Sequence, residues 1–163
     1  MKIGVIADTH IPAIAAELPS EIYSYLKNCD CIVHAGDVVD MSLIEELRLI
    51  ADTYAVSGNM DSFDVKKTLP EKLIFEVAGK SIGVVHGRGN PAKVLQFVED
   101  DFKNKKLDII IFGHSHVPFN GLIDGTIYFN PGSVTDRVFA PYRSFGIITI
   151  EKNEINAEII RLP

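Results

Sequence analysis

No apolar run in the chain approaches the roughly 18–20 residues that a membrane-spanning helix needs. No secretory leader is expected, for a related reason. Lys2, an apolar stretch and Ala13-Ile14-Ala15-Ala16 imitate one loosely, but Asp8 and His10 break the run after only Ile3 to Ala7, short of the ~7–15 residues required. The expected compartment is the cytoplasm, with no membrane partner. Cysteine is nearly absent: Cys29 and Cys31 are the only two. One residue apart, they alternate in direction along an extended chain and are badly placed to bridge, so reduced packing residues are expected. Positive charge is also short. Lys and Arg number 16 against 22 Asp and Glu, a formal net charge of -6. No basic cluster is dense enough to follow a nucleic-acid backbone, so long nucleic acids are not expected as partners, while a small anion drawn in by a local site is compatible. Repeats, low-complexity segments and linkers are lacking too. The 163 residues, 47% of them hydrophobic, fit one domain over residues 1–163 with a sizeable core.

What is present is an alternation of strands and helices. Lys2–Ala7 is a compact apolar strand, and Ser20–Asn28 reads as a helix with Pro19 in its first turn. Asp30–Ala35 is a strand. Met41–Ala51 is a helix in which Ser42 and Glu45 have capping-box spacing, and Thr53–Ser57 is a third strand. Beyond Pro70 the pattern turns to hairpins: Lys72–Ala78 and Ser81–His86 flank Gly79-Lys80. Pro91–Lys105 reads as a helix, with Val94, Leu95, Val98 and Phe102 on one face. Leu107–Phe112 is almost wholly apolar, as expected of a strand covered on both faces. Gly121–Phe129 folds around Asp124-Gly125, and Ser144–Glu151 with Glu154–Arg161 around Lys152-Asn153. Parallel units first and antiparallel hairpins later predict an α/β fold with two mixed sheets packed between helices.

On that map the polar residues show a regularity. Asp8 and His10 follow the first strand, Asp37 the second and Asn59 the third; His86 ends the fifth, and His114 and His116 follow Leu107–Phe112. All lie at or beyond the carboxyl ends of strands, where α/β sheets collect ligands. Each piece alone is weak, since Asp-x-His is common and Gly-Asn or Gly-Asp pairs are usually turns. In order, the pieces are Asp8-x-His10, Gly36-Asp37, Gly58-Asn59, His86-Gly87 and Gly113-His114-x-His116.

That order resembles the calcineurin-like metallophosphoesterase superfamily, with its DxH, GDxxD, GNH(D/E), GH or HG and GHxH motifs, from Asp8 to about Ser133. The short length, Gly58-Asn59-Met60-Asp61 and Asn130-Pro131-Gly132-Ser133 look like its small bacterial and archaeal phosphodiesterase branch. The resemblance implies a four-layer sandwich and two divalent ions, Mn first, with Ni, Fe or Zn as alternatives. It implies one ion on Asp8, His10, Asp37 and His116, and a second on Asp37 as bridge, Asn59, His86 and His114, with Asp37, Asn59 and His86 central to catalysis. A small phosphate ester, more a diester than a monoester, would be hydrolysed by a water shared between the ions. The residue types agree with this. Imidazoles and hard oxygens without a thiolate suit these metals. Seven dispersed ligands are too many for one tetrahedral ion, and glycines before Asp37, Asn59 and His114 allow sharp turns. Two carboxylates, two divalent ions and a hydroxide leave the centre roughly one unit positive, so a phosphate can bind inside an acidic protein.

Some positions depart from the pattern. Met60 stands where many members carry a histidine that assists the leaving group, and a thioether cannot donate a proton. Asp61 is expected to orient a ligand or to cap a turn. Arg88, Arg137 and Arg143 are the cations that could clamp a phosphate oxygen, with a solvated surface charge as the plainer role. His34 is expected to be a hydrogen-bonded support and not a ligand. Two other functions compete. A eukaryotic retromer subunit shares the family fold and opens similarly to Asp8-Thr9-His10-Ile11-Pro12, which raises a protein-interaction scaffold; all seven ligand positions here keep competent side chains. Larger relatives cut nucleic acids, but the acidic balance speaks against a nuclease, while a small cyclic or linear nucleotide stays a candidate substrate. An apolar sheet edge or the Phe139–Phe145 loop could support a homo-oligomer.

Overall fold

Short apolar runs become strands whose alternate residues enter different apolar layers. In the computed structural model, which describes residues 1–163, strand β1 (Lys2–Ile6) sends Ile3 and Val5 into one cluster and Ile6 into another. The chain continues through α1 (Ser20–Leu26), β2 (Cys31–His34), α2 (Met41–Arg48), β3 (Asp52–Ala55), α3 (Phe63–Thr68), β4 (Lys72–Val77) and β5 (Lys80–Val85). A 3-10 turn at Pro91–Lys93 leads into α4 (Val94–Asp101), followed by β6 (Ile109–Ile111), β7 (Phe119–Ile123), β8 (Thr126–Asn130), β9 (Ser144–Glu151) and β10 (Glu154–Arg161).

The strands form two five-stranded mixed sheets, in the orders β10-β9-β1-β2-β3 and β4-β5-β6-β8-β7. In each, three parallel strands carry antiparallel neighbours: β1, β2 and β3 beside β9, and β5, β6 and β8 between β4 and β7. The sheets face each other across Val5, Val33, Val84, Ile109, Ile111 and Phe129. The outer face of the first sheet packs through Ile6 and Ile32 on Ile22, Leu26, Leu43 and Val65 of α1, α2 and α3. The second sheet packs through Ile110 on Val94 and Val98 of α4. The result is helix, sheet, sheet, helix, the expected α/β class. Cys29 lies in the outer layer and Cys31 between the sheets, both as free thiols. No helix is long and apolar enough to cross a membrane.

Local differences from the sequence reading have local causes. Helix α2 is capped by Asp40, whose carboxylate accepts the Ser42 N–H, so Ser42 is already inside the helix and the expected box does not form. The first hairpin turns at Ala78 and Gly79, both at positive φ, because Lys80 pairs with Val77. The 91–105 helix is shorter than its periodicity: Phe102 leaves helical geometry as its ring enters the core, and Asn104 takes a left-handed φ of 67°. Helix α3 is an addition, capped by Ser62 through the Val65 N–H.

Candidate metal centre

The carboxyl ends of β1, β2, β5 and β6 meet along one rim of the two sheets, and the loops beyond them are tied together by their own backbones. Asp8 N–H donates to the Gly36 carbonyl, His10 N–H to that of Asp37, and Gly113 N–H to that of His86, each at 3.0 Å. Asp8, His10, Asp37, His114 and His116 all take positive φ, between 47° and 69°, the region that Asp, Asn and His tolerate best among residues with a Cβ. The glycines have two different reasons. Gly36 has φ 90° and makes the turn itself. Gly58 and Gly113 provide room: a Cβ on Gly58 would lie 2.2 Å from Asp37 Oδ1, and one on Gly113 would lie 3.0 Å from Asp8 Oδ2.

Two groups of ligand-type atoms result, Asp8 with His10 and His116, and Asp8 with Asp37 and His86, each within 4.8 Å of one another. His10 Nε2 is 3.2 Å from His116 Nε2, and Asp8 Oδ1 is 3.7 Å from the latter and 3.8 Å from His86 Nε2. Asp37 Oδ2 lies 3.7 Å from His10 Nε2 and 3.2 Å from His86 Nε2, so both carboxylates stand between the groups. Asn59 Oδ1 adjoins His86 Nε2 at 3.1 Å and His114 Nδ1 at 2.9 Å.

This donor set fits cations. Three rings spend their far nitrogen on the protein: His86 Nδ1 on the Ala35 carbonyl at 2.8 Å, His114 Nε2 on that of Gly89 at 2.8 Å, and His116 Nδ1 on Asp136 at 2.5 Å. That fixes which nitrogen each ring turns inward. The fully buried Asp8 also keeps one oxygen, Oδ2, without a hydrogen-bond partner. The electrostatics are those of a site short of positive charge. Burial raises the Asp8 pKa despite neighbouring histidines. Burial also works against ionised Asp37, but the hydrogen bond and charge of His86 and the Met60 N–H outweigh it and lower its pKa. Burial lowers His86 as well, yet the Asp37 hydrogen bond and the charges of Asp8 and Asp37 lift it to about 9. A proton on His86 thus occupies the place a metal would take.

A family profile described as the calcineurin-like phosphoesterase superfamily domain matches residues 1–153. The chain belongs to that superfamily. The chain is 35% identical to a probable metallophosphoesterase of Methanothermobacter thermautotrophicus over 162 residues, 99% of this chain and 92% of the relative. It is 28% identical to a phosphodiesterase of Methanocaldococcus jannaschii over 94% of this chain and 96% of that one. Its fold matches the crystal structure of Vps29 from Chaetomium thermophilum with a TM-score of 0.80 at 20% identity, covering 99% of this chain and 97% of the other.

Above the Asp/His cluster the chain opens a cleft of about 970 Å³. Met60 lines it with 61% of its surface exposed, and its N–H holds Asp37 Oδ1 at 2.7 Å. None of the three arginines lines the cleft. Arg88 pairs with Asp101 at 2.5 Å, Arg143 donates to the Pro163 carbonyl, and Arg137 is exposed. Asp61 binds the Gly58 and Val39 N–H groups at 2.6 and 2.5 Å and so clamps the Asn59 loop to the Asp37 loop. His34 is fully buried and meets Thr9 Oγ1 at 3.0 Å; burial holds its pKa near 3, so it stays neutral under the ligand loop.

Sequence reasoning missed Asp136. It is buried, it orients His116, and it accepts the N–H groups of Val138, Phe139 and Ala140. Burial disfavours its charge, but His116 and those N–H groups prevail and lower its pKa. Ser133 and Thr135, on the same loop, donate to the carbonyls of Asp8 and Thr9. Ser133 lies in the Asn130-Pro131-Gly132-Ser133 motif, but nothing local in the sequence marks Asp136.

Proposed function

We propose that this phosphoesterase is a phosphodiesterase that works with two divalent ions, Mn first, on a small substrate in the cytoplasm. The observation that carries this is the pair of Asp/His groups sharing Asp8, of which His10, Asp37 and His116 line an open cleft. Asp8, His10, Asp37 and His116 would hold one ion; Asp37, Asn59, His86 and His114 would hold the other. When bound, the ions supply Lewis acidity to the phosphate oxygens and acidify the attacking water. The chain's own part is positioning. Asp37 is fixed by Met60 N–H through one oxygen and turns the other to His10 and His86. Asn59 brings its carbonyl oxygen between His86 and His114. Asp136 holds His116 in one orientation.

A diester is favoured because no Lys or Arg lines the cleft to meet the second charge of a monoester. The Methanocaldococcus jannaschii phosphodiesterase, similar over nearly the whole chain, supports the same choice. The net charge of -6 supports a small substrate over nucleic acid. Met60, exposed beside Asn59, has no proton for a leaving group, so substrates with good leaving groups are expected. The test is hydrolysis of bis(p-nitrophenyl) phosphate by Mn-loaded protein. Turnover that exceeds that of p-nitrophenyl phosphate and disappears in Asp37→Ala is expected. No hydrolysis of either ester would transfer the chain to the scaffold reading that its Vps29-like fold leaves open.

A further inference from the structure

The cleft above the ligands is polar only at its floor. Of its lining side chains, His10, Asp37, Asn59, His114 and His116 belong to the ligand cluster, and the Ser115 hydroxyl is engaged with Asn130 and Val117. Every other lining residue is apolar, with Ile14, Met60, Leu95, Val117, Phe119 and Phe139 prominent. No Lys, Arg, Gln or free carboxylate faces the space. A polyphosphate would find no countercharge there, and a nucleobase edge would lose its water without gaining a partner.

The backbone that carries one of these walls is anchored. Phe139 is 78% exposed, yet its own N–H and those of Val138 and Ala140 are anchored on Asp136 at 2.7–3.1 Å. Its ring stands edge-on to His116 with centroids 6.5 Å apart. The carboxylate that orients a ligand histidine therefore also fixes an aromatic wall. Of the nearby cations, Lys66 Nζ is held by the Asn59 carbonyl at 2.8 Å and Arg88 by Asp101, while Lys93 and Arg137 are exposed and do not line the cleft. Exposed apolar side chains gathered around a polar floor mark a ligand surface.

We infer that the organic part of the substrate is apolar: a phosphodiester bearing at least one aryl or bulky alkyl group, its phosphate on the ligand cluster and that group against Phe139, Met60 and Leu95. This rests on the phosphodiesterase reading above and adds the substrate class. The test is calorimetric titration of Mn-loaded protein with three singly charged probes: the monomethyl esters of methylphosphonic acid, of phenylphosphonic acid and of adenosine 5′-monophosphate. The phenyl probe is expected to bind at least about tenfold tighter than the methyl probe, the scale set by burying one ring, and tighter than the adenosine probe. Phe139→Ser is expected to cut the phenyl-to-methyl ratio below about threefold, and Phe139→Leu to keep most of it, since a large apolar side chain remains. Equal affinities, a preference for the adenosine probe, or no binding of any probe would overturn the inference. The same sample is assayed on bis(p-nitrophenyl) phosphate. Phenyl selectivity without hydrolysis would sink the phosphodiesterase reading alone, and hydrolysis without selectivity would sink the apolar substrate class alone.

Discussion

At the scale of the residue, His86 is the most informative titrating group. Its imidazole lies 3.2 Å from Asp37 and is lifted to about 9, so the metal-free site carries a proton there at neutral pH. A metal takes only the neutral ring, and binding must release that proton. Apparent Mn affinity is therefore expected to rise by about tenfold per pH unit below about 9 and to level off above it. Calorimetry at several pH values in buffers of different ionisation enthalpy reads both the slope and the proton. An affinity constant from pH 6.5 to 8.5 would contradict the assignment. Met60 makes a second residue-scale prediction. A positioned general acid contributes roughly 10²–10⁴-fold, so Met60→His is expected to raise the rate for a diester with a poor leaving group by about tenfold or more, while a nitrophenyl diester changes little. Rates measured on both substrates decide it; an unchanged ratio would show that the leaving group needs nothing from this position.

The scale of the element is where loops act as units. The segment from Asn130 to Ala140, after β8, reaches Gly113 through the Asn130 amide, Asp8 through Ser133, Thr9 through Thr135 and His116 through Asp136. Supporting residues of this kind are worth about 10–100-fold in metal affinity. Asp136→Asn is expected to weaken Mn binding by that factor, read by titration. A variant that loses thermal stability but keeps wild-type affinity would reduce Asp136 to a loop anchor. Nothing in the sequence distinguishes Asp136 from other loop carboxylates, because the contact with His116 exists only once β8 lies beside β6. The residues of the Asp/His cluster were legible for the opposite reason. Most follow a strand with a clear apolar run, and a glycine stands beside several of them. Helix α3 left no trace in the hydrophobic pattern, since Val65 is its only buried residue and Ser62 its main local signal. Arg88, Arg137 and Arg143 could be read only as charges, and what a charge pairs with is settled by tertiary neighbours such as Asp101.

At the scale of the whole molecule, neither sheet holds the site alone. Asp8, His10, Asp37 and Asn59 come from the parallel strands of one sheet, while His86, His114 and His116 come from those of the other. Packing the two sheets through Val5, Val33, Ile109 and Phe129 brings the two halves of the ligand set together. A centre of concentrated positive charge can then sit in a chain of net charge -6 and take up a small anion. The central claim is that this shared rim binds two ions and that both are needed for diester hydrolysis. The most direct measurement titrates Mn into metal-free protein while recording bound metal and the rate of bis(p-nitrophenyl) phosphate hydrolysis in the same sample. About two equivalents per chain are expected for ions bridged as in two-metal hydrolases, with the rate rising as the second site fills. A single equivalent, or hydrolysis that survives removal of all metal by a chelator, would contradict it.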